Sequence, residues 1–232
     1  MTKNFLVSFF IYLSHLLFIL SQKILNLIFK LFSSHYYPNL KKIQNHKKNK
    51  KKIIYEANSL VDAQLVHYVT AKSFNSMGFD NILFYNMTIN SLYNPKTFFF
   101  YEKLNLDNIF YYLNFNQIIK TTKLFYNLKK KIKTKKQLID LKINNVQIGD
   151  LIYDSYIRFE KKPTVYLNDL RFGFELYKCL STFIFWEDYF NINEVDSFIQ
   201  SHSNYRIGIP GKVALSKNIK VFNLNIDDLY RL

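Results

Sequence analysis

Asp150, Asp154 and Arg158 follow one another at intervals of four in the stretch Ile148-Gly149-Asp150-Leu151-Ile152-Tyr153-Asp154-Ser155-Tyr156-Ile157-Arg158. On a helix, residues at i, i+4 and i+8 share one face, so two carboxylates and a guanidinium would stand in a row. A short helix with one charged and one apolar face suggests a scaffolded site, in which Asp150 could serve as a catalytic acid. Gly149 permits a turn, and Asp150 behind it is placed to cap the helix with its carboxylate. For Asp154 and Arg158 the simplest reading is an i,i+4 ion pair. Ile152, Tyr156 and Phe159 form a second, apolar face. The other chemistry-bearing run is Ser201-His202-Ser203-Asn204. His202 can act as a general base or donate to a phosphate or a sugar hydroxyl. Ser201 is a weak nucleophile candidate, because the flanking glycines of a nucleophile elbow are missing.

These residues need elements to carry them. Residues 53–57 read as a strand, 60–76 as a helix stopped at Met77-Gly78, and 81–86 as a second strand, a β-α-β unit with parallel pairing. Residues 106–113 and 115–143 read as helices. Residues 163–167 read as a third strand, with Asn168-Asp169 capping a long helix that runs to 191. Residues 195–199 and 220–224 supply a fourth and a fifth strand, joined by a helix with Pro210 in its first turn. The alternation predicts an α/β fold, a Rossmann-like open parallel sheet with helices on both faces. In such sheets ligands bind beyond the carboxyl ends of the strands. There the chain places Glu56, Asn58, Ser59, Asn86, Asn168, Asp169 and Ser201 to Ser203. Glu56 and Asn58 read first as turn and cap residues.

The chain has 232 residues, 49% of them hydrophobic, and a net charge of +15. That is enough apolar content for a substantial core. The charge is concentrated in two places. Residues 1–52 carry ten lysines and no acid, and residues 120–142 carry nine lysines and one aspartate. The remainder is near neutral, and no aromatic–glycine RNA-binding motif is present, so no nucleic-acid partner is expected. A single cysteine excludes an intrachain disulfide and a multi-cysteine zinc site. Neither a metal site nor a cofactor is expected. There is no Walker loop, no G-x-G-x-x-G and no H-E-x-x-H.

Residues 1–36 are mostly apolar and read as a membrane-associated hydrophobic helix, able to span a bilayer or to lie in its interface along a stripe of Ser8, His15, Gln22 and Asn26. The basic linker 37–52 places the folded remainder, 53–232, on the cytoplasmic face of the membrane, peripheral or single-pass.

Four of these segments, in order, resemble bacterial surface and capsular polysaccharide biosynthesis proteins. They are the Ile148 to Arg158 run, Pro163-Thr164 with Asn168-Asp169, the helix end Trp186-Glu187-Asp188-Tyr189-Phe190, and Ser201-His202-Ser203-Asn204-Tyr205. That family resembles glycosyltransferases of two Rossmann-like domains, the GT-B arrangement. The resemblance implies the acceptor-side half of such an enzyme, with the second domain absent from this chain. The expected function is therefore acceptor binding in a membrane-associated glycosyltransferase-like protein. The implied partners are the membrane surface or a lipid-linked acceptor, and a separate domain that brings the nucleotide-sugar donor. Within that frame His202 and Asp150 are the catalytic candidates. Asp154, Arg158, Asn58, Ser201 and Asn204 are the substrate-binding ones. The alternative is a non-catalytic membrane-anchored interaction module or truncated remnant.

Overall fold

The computed structural model describes residues 52–57, 61–79, 82–85, 100–101, 104, 106–109, 113–224 and 229–231. The expected hydrophobic helix over 1–36, nearly all of the basic linker, and Asn58 and Ser59 lie outside them. Among the described residues no helix is long and apolar enough to cross a membrane. The class is α/β, with a mostly parallel sheet flanked by helices.

The chain forms two compact units. The first holds the described residues up to Ile109, then Glu194–Ser201, and those from Phe222 onward. It begins with strand β1 (Lys52–Glu56), helix α1 (Val61–Ser76) and strand β2 (Ile82–Tyr85). Gly78, at φ +86°, ends α1 as its sequence position indicates. β1 and β2 pair in parallel from Ile53↔Ile82 to Glu56↔Tyr85, the expected β-α-β unit. A third strand, β3 (Asp107–Ile109), pairs parallel to β2. This corrects the helix expected over 106–113: the run is short, Leu106 and Ile109 are buried, and the free edge of β2 settles its conformation.

The second unit holds Leu113–Asn193 and His202–Val221. The helix expected over 115–143 is divided into α2 (Phe115–Lys131) and α3 (Lys135–Ile139), followed by a hairpin of β4 (Lys142–Ile143) and β5 (Val146–Gln147). Two capping boxes explain the division, Asn114 with Gln117 and Thr134 with Gln137. Asn144 and Asn145 both take positive φ, 50° and 66°, as a two-residue hairpin turn requires. Then come α4 (Gly149–Glu160) and α5 (Leu170–Ile192). Asp169 caps α5 as expected, its carboxylate accepting from Arg171 N–H at 2.9 Å and from the Tyr156 hydroxyl at 2.7 Å. Residues 163–167 are not the expected third strand. They form the irregular link into that cap, and the Leu167 carbonyl accepts from the Lys129 ammonium instead of a ladder neighbour.

Strand β6 (Val195–Gln200) returns to the sheet and pairs parallel to β1. A 3-10 turn (Arg206–Gly208) leads into α6 (Ile209–Ser216), with Pro210 in its first turn as expected. Strands β7 (Lys220–Leu224) and β8 (Leu229–Arg231) follow, β8 antiparallel to β7. The sheet order is β3-β2-β1-β6-β7-β8. The chain winds outward from β1 through β2 to β3, then resumes on the other side of β1. The winding reverses between β1 and β6. The core of the first unit gathers Ile53, Tyr55, Ala71, Ile82, Phe84, Tyr101 and Ile199.

Two glycines of the second unit separate close approach from spare room. A Cβ on Gly149 would stand 1.8 Å from the Leu138 carbonyl oxygen and 2.7 Å from that of Ile139, both backbone atoms. One on Gly173, inside α5, would meet only Phe125 Cζ, at 3.9 Å. Gly149→Ala should therefore destabilise by about 3 kcal/mol, as overpacking against fixed atoms does. Gly173→Ala should stabilise by about 0.5–1 kcal/mol through helix propensity. Urea unfolding of the two variants beside the wild type measures both.

Candidate functional site

The second unit brings two distant segments of the sequence together. Asp154, Ile157 and Arg158 from α4, and Asn204 and Tyr205 from the loop after β6, line an open cleft of about 340 Å³. α4 buries Leu151, Ile152, Ser155 and Tyr156, which turns Asp154 and Arg158 outward. The expected ion pair between those two is not formed. Both side chains are exposed and have no partner among the described residues, so both are available to a ligand.

The opposite wall is held from below. Arg206 donates to the Glu175 carboxylate at 2.6 Å, and Glu175 on α5 is only 3% exposed. The same guanidinium lies 5.4 Å from the centre of the Phe159 ring, a cation–π contact. The Phe159 ring also meets that of Tyr205, with centroids 6.2 Å apart. Phe159, read from sequence as part of the buried face, is instead 47% exposed and serves as this platform. Tyr205 has φ 56° and ψ −168°, a backbone region almost confined to glycine. A tyrosine kept there costs on the order of 1–3 kcal/mol, and such outliers gather at functional sites. Gly208 explains how the loop closes, since a Cβ there would sit 2.0 Å from the Ser203 carbonyl oxygen.

The two catalytic candidates take other positions. α4 begins at Gly149, and its N-cap is Ile148, with no side-chain cap bond. Asp150 therefore lies inside the first turn and is not the cap. Its Oδ2 accepts from Lys212 on α6 at 2.7 Å, while Oδ1 is buried without a partner. The close contact of Gly149 with the end of α3 moves the helix start forward by two residues. Asp150 thus ties α4 to α6, and it does not line the cleft. His202 is exposed and does not line it either. Asn58 lies outside the described residues.

Ser201 belongs to the first unit, where it marks a second polar site at the reversal between β1 and β6. Its backbone N–H and its hydroxyl both donate to one oxygen of Glu56, at 2.7 and 2.8 Å. Beside it, the Gln200 side-chain amide donates to Asn223 on β7 at 3.0 Å, and its own oxygen, Oε1, is buried without a partner. Burial pushes the Glu56 carboxyl up to about 7 against the two Ser201 hydrogen bonds, which favour the ionised form. A carboxyl that changes charge near neutrality at the carboxyl ends of adjacent parallel strands has the properties of an acid–base group. Sequence reading placed Glu56 at the carboxyl end of the first strand but read it first as a cap or turn residue; its buried bond to Ser201 is what sets it apart.

On the opposite face of β1, Tyr55 packs against His67 of α1, with ring centroids 5.6 Å apart. His67 shares a 2.6 Å hydrogen bond with the Tyr101 hydroxyl. Burial pushes its pKa down to about 4, so it is neutral across the physiological range.

No protein-family model, no curated protein and no solved structure matches this chain.

Glu56 and His67 give the first unit two opposed pH dependences. Between about 4.5 and 7 the folded state holds a proton on Glu56 that the unfolded chain has released, so the stability from Glu56 falls as pH rises. Between about 4 and 6.5 the unfolded chain protonates His67 and the folded state does not, so stability rises with pH there. Glu56→Gln keeps an acceptor for Ser201 and removes the first effect. Its stability should climb from pH 4 to 6.5 and then level, whereas the wild type declines through pH 7. Urea midpoints across that range measure the difference, and superimposable profiles would refute the assignment.

Proposed function

We propose that the cleft formed by Asp154, Arg158, Asn204 and Tyr205 binds a glycosyl phosphate. In this reading the chain is the acceptor-side domain of a membrane-associated glycosyltransferase-like protein in surface or capsular polysaccharide biosynthesis. The observation that carries it is the convergence of two segments. Both resemble that family, they stand nearly fifty residues apart, and they line one cleft with unpaired polar groups.

The chemistry suits such a ligand. A guanidinium without a carboxylate partner is the side chain best matched to a phosphate, by paired N–H donors. Asp154 and Asn204 offer acceptors and an amide donor for sugar hydroxyls. Tyr205 gives a flat apolar surface with a polar tip for the sugar ring. The lipid-linked acceptor expected from the sequence carries both groups, a phosphate and a sugar. The sheet order β3-β2-β1-β6-β7-β8 supports a Rossmann-like reading of the fold. Counted in chain order the strands run 3-2-1-4-5-6, as in a doubly wound sheet, with the last strand, β8, antiparallel at the edge; in such sheets the ligand crevice lies where the winding reverses. Glu56 and Ser201 stand at that reversal. In this reading donor binding belongs to a separate domain.

Arg158→Ala should weaken binding of a polyprenyl-diphosphate-linked sugar by about tenfold or more, the scale of one lost charge-assisted contact, without lowering the unfolding midpoint. Asp154→Asn should weaken it less. In a strain lacking the gene, the wild type should restore surface polysaccharide and Arg158→Ala should not. Full restoration by both variants would favour the non-catalytic module. Wild-type affinity in Arg158→Ala would overturn the reading of the cleft.

A further inference from the structure

The residue types along α2 are set by two demands on opposite sides. One side packs inward: Gln117, Thr121, Phe125 and Leu128 are buried. Phe125 meets Tyr177 of α5 ring to ring at 5.7 Å, and Thr122 bonds the Tyr177 hydroxyl at 3.3 Å. The opposite side carries Phe115, Ile119, Lys123 and Lys130, with half-buried Tyr126 among them. Their spacing of four, four and seven holds them in one stripe at 3.6 residues per turn. Phe115 is 69% exposed and Ile119 37%, although both are residues that folding normally covers.

No acidic residue occurs between Asp107 and Asp140. Within that span Lys120 is engaged by Asp188, Lys129 by Leu167 and the Phe172 ring, and Lys135 by the Tyr153 ring. Lys123, Lys130, Lys131, Lys133 and Lys136 are exposed, and their ammonium groups have no partner among the described residues. A solvated helix in a soluble domain ordinarily mixes acids with its lysines, which gains i,i+4 pairs and limits self-repulsion. This face does neither, and it adds two exposed apolar side chains.

We propose that this face of α2, continued by Lys133 and Lys136, is a docking surface for an anionic lipid bilayer. The two kinds of residue divide the work. The lysines meet the negative surface potential of the leaflet, with their methylene stems lying along the interface. Phe115 and Ile119 enter the boundary between headgroups and acyl chains, where a nucleic-acid backbone offers nothing to an aliphatic side chain. The helix therefore lies flat on the membrane. The proposal does not depend on the glycosyl phosphate reading of the cleft.

The test uses the full chain with a solvatochromic maleimide probe at Ile119→Cys. Native Cys179 is fully buried and does not compete for the label. The control is the same probe at Lys217→Cys, an exposed position just after α6. Vesicles are phosphatidylcholine alone and an equimolar mixture of phosphatidylcholine and phosphatidylglycerol. The expected result is a blue shift and protection from iodide quenching at position 119 with the anionic vesicles only, and neither effect at 217. Lys123→Glu with Lys130→Glu, both at exposed sites, should weaken the vesicle dependence of the shift by tenfold or more, given about fivefold for each lysine near such a surface. Its unfolding midpoint reports whether the fold is kept. If the chain sediments with anionic vesicles while the probe at 119 stays solvated, the membrane contact lies elsewhere and the proposal fails. It also fails if both positions shift alike, if neutral vesicles shift 119 as far, or if duplex DNA shifts it and vesicles do not.

Discussion

The second unit depends on one buried charge pair. Glu175 is buried in the second turn of α5, and a carboxylate there is tolerable only with a cation against it. Arg206 supplies that cation from the loop after β6. Lys178, at 3.6 Å, adds a second contact from the solvent side. An uncompensated charge at such a site costs about 3–5 kcal/mol, so the loop is held wherever Arg206 must be. That requirement fixes the residue before it. Tyr205 is kept in a backbone region it would not choose because its neighbour cannot leave Glu175. The cleft wall is thus a by-product of electrostatics in the interior.

Asp150 and Lys212 repeat this logic at the rim, with less burial and a smaller effect. The pair joins the first turn of α4 to α6. Together the two pairs hold both segments that frame the cleft, and Asp154, Arg158 and Asn204 need no bonds of their own to stay in place. Their freedom is what makes them useful. A residue committed to structure is a poor binder, and the residues that looked most chemical in the sequence divide along that line.

Much of the fold was legible because local signals agreed with tertiary context. Gly78 after an apolar run, Asp169 before one, and Pro210 within the first turn of α6 each have one economical reading, and each occurs as expected. The failures came where local pattern was weak or context ruled. Leu106 to Ile109 has too few residues to show a period, and the open edge of β2 made it a strand. Residues 163–167 have strand composition, but a lysine side chain satisfies a carbonyl there and no strand pairs with them. The division of the site was not legible at all. Spacing places Asp150, Asp154 and Arg158 on one face, yet only a three-dimensional neighbour, Lys212, shows that the first of them is engaged. Glu56, placed at the ligand edge but read first as a cap or turn residue, was undervalued for the same reason: its partner Ser201 is 145 residues away.

That separation has a consequence for how the molecule assembles. Most of the second unit, Leu113–Asn193, is one continuous stretch made before β6, and His202–Val221 completes it afterwards. The first unit cannot complete its sheet until β6 arrives to pair with β1. Parallel pairing across so long a span is the slow kind of event in folding, because loop closure must precede any gain from the contacts. The β1 edge stays open through most of the chain's synthesis. Lys52 at its start puts a positive charge beside that edge, the kind of feature that discourages strands of different chains from pairing while the edge is unfilled.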